Sequence, residues 1–279
     1  MILKQIIKRI LLRVLQIRNL FLWQLDCKHI RKSISSKVKK TLPNDKKTLI
    51  LIPHADDEWV GCSSLVKNGL DILLYDMDMN GGDGKVLHEA RYNELSKISI
   101  LYNKPLLKVG LNKSLSLIET IKNEKPELIC VPFFFDWHPE HIEVMGILRQ
   151  ALLNLKYDVD IAMYQVSMPI PRNCITHIYP MPKSEWKQKW KTFEEIYKSQ
   201  TGIPYKRFAI NERVNGAVCG SYAGESFVYC KASVWLENYE DWLLTLEEIK
   251  EARMNLQSIE KINKSVKKYN QNRKWKIQR

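Results

Sequence analysis

Residues 49–61 read LILIPHADDEWVG: aliphatic residues, a proline, then one histidine, two aspartates and a glutamate in quick succession. A short unbroken apolar run fits a strand covered on both faces, as in a parallel sheet. Its abrupt end in charge fits the carboxyl edge of that strand, where open α/β sheets bind ligands. The design recurs at 128–141, LICVPFFFDWHPEH, where a second apolar run ends in Asp136, His138, Glu140 and His141. If the two strands are neighbours, both polar segments meet at one edge, mounted on rigid core elements.

Around these two motifs, strand-like and helix-like segments alternate from Lys46 onward. The apolar pattern predicts strands over 48–53, 71–76, 105–109, 128–135 and 160–166, and helices over 61–69, 87–102, 115–123, 139–155 and 184–198. Segment 79–85, MNGGDGK, reads as a glycine-rich loop after the second strand. The alternation specifies an α/β, Rossmann-like fold: an open, mainly parallel sheet with helices on both faces. Residues up to 239 are then mixed, and 240–270 read as one or two helices fraying into a basic tail. The expected organisation is a basic amphipathic extension over 1–45, a main α/β domain over 46–239, and a helical basic tail over 240–279.

The 279 residues, 45% hydrophobic and 10% aromatic, suffice for a sizeable core and exclude a disordered chain. The net charge of +13 invites a nucleic-acid partner. Its distribution argues otherwise. Residues 1–44 carry eleven Lys and Arg against Asp26 alone, and the chain from Lys261 onward is basic again, so the middle is close to neutral. No nucleic-acid partner is expected, because the acidic residues of the candidate site repel phosphate. The six cysteines are scattered without a CxxC pair, which excludes a zinc ribbon and fits a reducing, cytoplasmic compartment. Ile6, Ile10, Val14, Ile17 and Phe21 stand at helical spacing among Lys and Arg. The charges interrupt every run, so the segment is neither a spanning helix nor a secretory signal. It fits a helix on an anionic membrane, peripheral at the inner face; the alternative is a helix packed on the main domain.

His54, Asp57 and one histidine from His138 or His141 form a two-histidine, one-carboxylate set. Three protein ligands and an open position make the catalytic zinc pattern. Residues three apart at the start of a helix face the same way, which groups His54 with Asp57 and His138 with His141. Pro139 fits the first position of a helix. Asp56 is the candidate general base, since a carboxylate beside such a metal can take a proton from water whose pKa the metal lowers to about 7. Each motif alone has a plainer explanation, as carboxylates at a helix start or histidines on a helix face. Each at the end of its own strand, they point to a metal site. Zn2+ suits these ligands, and another divalent transition metal can take the same set. Glu58 reads as orienting the turn, His88 as exposed, His29 and His177 as structural or exposed, and Phe133–Phe135 as core.

These residues resemble the PIG-L/LmbE-like family of zinc-dependent N-deacetylases, whose signature is a strand followed by HPDDE and later HxDH. Here the motifs read HADDE and HPEH. NGGDG, Arg91 in HEARYNEL, KSQ at 198–200 and YAGESF at 222–227 look like further family segments, over roughly residues 46–230. The resemblance implies His54, Asp57 and His141 as zinc ligands and Asp56 as the base. It implies His138 as the group that stabilises the intermediate and protonates the amine. Arg91 and Asp136 would lie against substrate. Ala55 stands for the family's proline, and Glu140 for its aspartate, where a carboxylate would orient His138. The implied reaction is deacetylation of an N-acetylated amino sugar or glycolipid near a membrane surface. Two alternatives remain open on the residues: a zinc amidase acting on a thiol conjugate or another small amide, and a basic nucleic-acid-binding protein on an α/β scaffold.

Overall fold

The computed structural model describes residues 2–33, 41–79, 84–155, 157–200, 205–255, 259–271 and 273. Among them, strands β1 (Thr48–Ile52), β2 (Ile72–Asp76), β3 (Leu106–Lys108), β4 (Leu128–Pro132), β5 (Asp160–Tyr164), β6 (His177–Met181) and β7 (Ala223–Lys231) form one sheet. Its order is β3-β2-β1-β4-β5-β7-β6. The first five strands are parallel; β7 runs antiparallel to both β5 and β6. The chain moves outward from β1 to β2 and β3, then returns to place β4 on the other side of β1, pairing Leu49 with Ile129. That reversal opens a crevice at the carboxyl ends of β1 and β4. The two polar motifs leave the sheet there.

The apolar runs are continuous because both sheet faces are covered. Leu49, Leu51, Ile129 and Val131 face one core, with α4 (Lys113–Glu124), α5 (Pro139–Leu155), α8 (Ala232–Trp242), α9 (Leu246–Asn255) and α10 (Ile259–Gln271). Ile50, Ile52, Cys130 and Ala162 face the other, with α2 (Asp57–Asn68), α3 (Lys85–Leu101) and α6 (Lys183–Ile196). Ala252, Ile262 and Tyr269 are buried in the first core, so α9 and α10 are part of it and do not fray away as a tail.

The elements depart from the sequence expectations in three places. The helix expected from 61 begins at Asp57, because backbone bonds from Trp59 and Val60 to the Asp56 carbonyl start it inside the charged motif. β4 stops at Pro132, and the aromatic run continues as a buried loop. β6 and β7 carry no unbroken apolar run: β6 contains Pro180, and β7 buries Glu225 and Ser226. α7 (Tyr205–Val218) packs so closely on β7 that a Cβ on Gly216 would stand 2.4 Å from the Ala223 backbone. The N-terminal α1 (Ile2–Ser33) packs on α7 through Trp23 and Cys27, against Ile210, Val214 and Ala217. No helix among the described residues is long and apolar enough to cross a membrane. Most of the glycine-rich loop, residues 80–83, lies outside the described residues, as does the basic end from 274.

Candidate metal centre and active site

The turn between β1 and α2 is held from every side. The His54 amide donates to Asp57 Oδ2 at 3.0 Å, and the Asp57 amide returns to the His54 carbonyl at 3.1 Å. Gln200 Nε2 donates to the Ala55 carbonyl at 2.7 Å. Glu58 accepts from the Asp56 amide at 3.1 Å and from the Tyr197 hydroxyl. Asp56 itself has φ 136°, a backbone conformation that costs a non-glycine residue energy. The surrounding bonds over-determine it, and they present the Asp56 carboxylate beside the His54–Asp57 pair.

His54 Nδ1, Asp57 Oδ2 and His141 Nε2 form a nearly equilateral triangle. Its sides are 3.1 Å between the two nitrogens, 3.3 Å from His54 to Asp57, and 3.2 Å from His141 to Asp57. Ligand bonds of about 2.0–2.2 Å at tetrahedral angles separate donor atoms by about 3.3–3.6 Å, so the triangle fits one face of a tetrahedral zinc site. The outer nitrogens have acidic partners: His54 Nε2 lies 2.6 Å from Glu140 Oε2, and His141 Nδ1 lies 3.0 Å from Asp136 Oδ2. Those carboxylates favour protons on the outer nitrogens, which leaves lone pairs on the inner ones. Three acceptors then converge on one point; Asp57 Oδ2 already accepts from the His54 amide, and a cation or an extra proton would satisfy the remaining lone pairs. His138 stands beside the triangle, its ring 4.5 Å from His54 and stacked 4.9 Å from His141. One ring nitrogen each of His54, His138 and His141 falls within 4.8 Å of the others. Asp57 closes the tighter set.

The electrostatics follow the same pattern. Burial would raise Asp57, but His141 and His54 outweigh it and hold the carboxyl well below its usual range. Burial would lower His141, but Asp136 and Asp57 reverse this and raise it well above normal. Both shifts reflect negative charge gathered around the triangle, the charge a bound cation would balance. Burial raises Asp56 well above the ordinary carboxylate range, and Asp57 and Glu58 add to the shift, while His141 and Arg91 offset part of it. Burial, then the charges of His141 and His54, push His138 down to about 4.

The structure brings His54, Asp56, Asp57, Glu58, His138, Glu140 and His141 together, with Arg91 half-buried on α3 and its charge acting on Asp56. Two expected positions change. Asp136 is buried behind His141, not at the rim against substrate. Its oxygens accept from the His138 amide at 2.9 Å and the Ser167 amide at 3.2 Å, and the carboxylate faces the His141 ring. Glu140 lies closer to His54 than to His138 (3.4 Å), because the longer side chain reaches across the crevice. Ser199 donates to Glu94 through both its amide and its hydroxyl, so the SQ segment buttresses the turn together with Gln200. Tyr197, Ser167 and Arg207, which donates to the Ser167 carbonyl at 3.2 Å, were not foreseen. No local pattern marks them; only the tertiary fold brings them to the motifs.

Solved structures share this architecture. The conserved protein TT1542 from Thermus thermophilus aligns with TM-score 0.53 and 18% identity, over 66% of this chain and 94% of that one. The zinc-inhibited form of teicoplanin deacetylase aligns with TM-score 0.50 and 13% identity, over 66% and 98%. The antimicrobial reagent A40926 pseudoaglycone deacetylase aligns with TM-score 0.50 and 13% identity, over 66% and 97%. At these identities the likeness is one of fold. No protein-family model and no curated protein matches the chain.

Proposed function

We propose that this chain is a zinc-dependent amide hydrolase that deacetylates an N-acetylated amino sugar, free or carried on a glycolipid. The observation that carries the proposal is the acceptor triangle of His54, Asp57 and His141, with Asp56 beside it on a strained turn. Two of the similarly folded proteins being deacetylases supports the same reading. So does the HADDE and HPEH resemblance.

His54, Asp57 and His141 would hold the ion, with Glu140 and Asp136 fixing the two imidazoles. A divalent ion bound there supplies Lewis acidity towards the amide oxygen and lowers the pKa of water in the site. Asp56 takes the proton from the attacking water; burial makes it a stronger base than an exposed aspartate. His138 is held neutral near pH 7 and reaches the site as a hydrogen-bond donor. The proton that Asp56 has taken leaves with the amine, so one amide and one water yield acetate and a free amino sugar. Arg91, whose charge acts on Asp56, would meet a sugar hydroxyl or phosphate.

Acetate release from free, nucleotide-linked and lipid-linked N-acetylglucosamine tests the proposal. Zinc-loaded wild type should release acetate from at least one, and Asp56→Asn should lose about 10²- to 10⁴-fold in rate. Metal-loaded wild type inert on all of them, but active on another small amide, would replace the sugar with that substrate.

A further inference from the structure

We infer that the first two-thirds of α1 is a docking surface for an anionic lipid bilayer. The inference is independent of the hydrolase reading. At about 100° per residue, Ile6, Ile10, Val14, Ile17 and Phe21 fall within about 80° of arc on this helix, which is about 48 Å long. All five are exposed, Ile17 to 67%, and Ile7 and Leu11 widen the stripe. The face that packs on α7 is a different one. Leu20, Trp23 and Cys27 lie about a third of a turn away, and Trp23 is only 3% exposed. α1 therefore has two apolar faces: one anchors it to the domain, and the other has no cover among the described residues.

Charge decides what covers the second face. Between residues 2 and 25 the sequence contains Lys4, Lys8, Arg9, Arg13 and Arg18 and no acid. A second copy of the helix would bring like charges together, with no Glu or Asp to pair across the seam. An anionic lipid surface accepts both parts: the apolar stripe enters the acyl boundary, and the cations meet the headgroups. The helix lies in the interface and does not span it.

Vesicle flotation of the 279-residue protein tests this. Wild type should float with phosphatidylcholine vesicles containing about one-third phosphatidylserine and stay behind with phosphatidylcholine alone. Ile10→Ser with Ile17→Ser should cut partitioning at least about tenfold, with the melting temperature and metal content unchanged, because both side chains are exposed. Wild type that ignores anionic vesicles overturns the inference. So does a double variant that floats as well as wild type, or a wild-type dimer in free solution that the double variant dissolves.

Discussion

Two clusters of buried charge touch α2, and they are built on opposite terms. Lys189 is wholly buried, and its ammonium donates to the Val60 carbonyl at 2.8 Å, to Glu225 at 2.5 Å and to Glu212. Glu225 also accepts from Ser63 and from the amide and hydroxyl of Ser64, and Glu212 accepts from Trp190 Nε1 at 2.7 Å. Donors match acceptors, so the cluster needs nothing from outside. At the start of the same helix, His54, Asp57 and His141 aim three acceptors at one point. Buried charge by itself therefore does not mark a functional site. A surplus of acceptors does, because an unmatched buried acceptor is costly and a ligand cation removes the cost.

Removing one member from each cluster should have opposite consequences. His141→Ala should abolish metal binding and lower hydrolysis at least about a thousandfold, while the protein still folds, as read by metal analysis, turnover and melting. Lys189→Met should do the reverse. It leaves two carboxylates buried without a cation and should cost about 3–5 kcal/mol in urea unfolding, with metal stoichiometry intact in the folded fraction. If Lys189→Met lost metal with little loss of stability, the two clusters would not be distinct.

Smaller effects follow from the same distinction. Asp136→Asn should weaken metal affinity by about 10- to 100-fold, because it orients a ligand without being one. At the amino edge of the sheet, Asp160 pairs with Lys46, Lys231 and Tyr229, and its pKa drops to about 2; burial opposes the drop, and these partners outweigh it. A depressed folded pKa stabilises above the unfolded value and is lost as pH falls through the folded one. About 2 kcal/mol should therefore disappear between pH ~4 and ~2, and Asp160→Asn should remove that part of the acid limb.

Much of the architecture was legible because it rests on local chemistry. Both site-bearing strands announce themselves as apolar runs, and the motifs sit at their carboxyl ends, which placed His54, Asp56, Asp57, His138 and His141 in one crevice before any fold was known. What was not legible depends on distant partners. β7 hides because Glu225 is buried, and it can be buried only because Lys189, far along the chain, answers it. Asp136 reads as a rim residue in DWHPEH, and only the Ser167 amide and His141 ring show that it faces inward. The long reach of Glu140 to His54 likewise depends on the register of β1 against β4.

The most direct measurement is the metal content of the purified 279-residue protein after zinc loading and desalting, for wild type, Asp57→Ala, Asp56→Asn and His138→Ala. The triangle predicts about one zinc per chain in wild type, the same in Asp56→Asn and His138→Ala, and loss in Asp57→Ala. Wild type that retains no metal contradicts it. So does a protein that keeps its zinc without Asp57 and loses it without His138, since the wider group of three histidines would then be the one that binds.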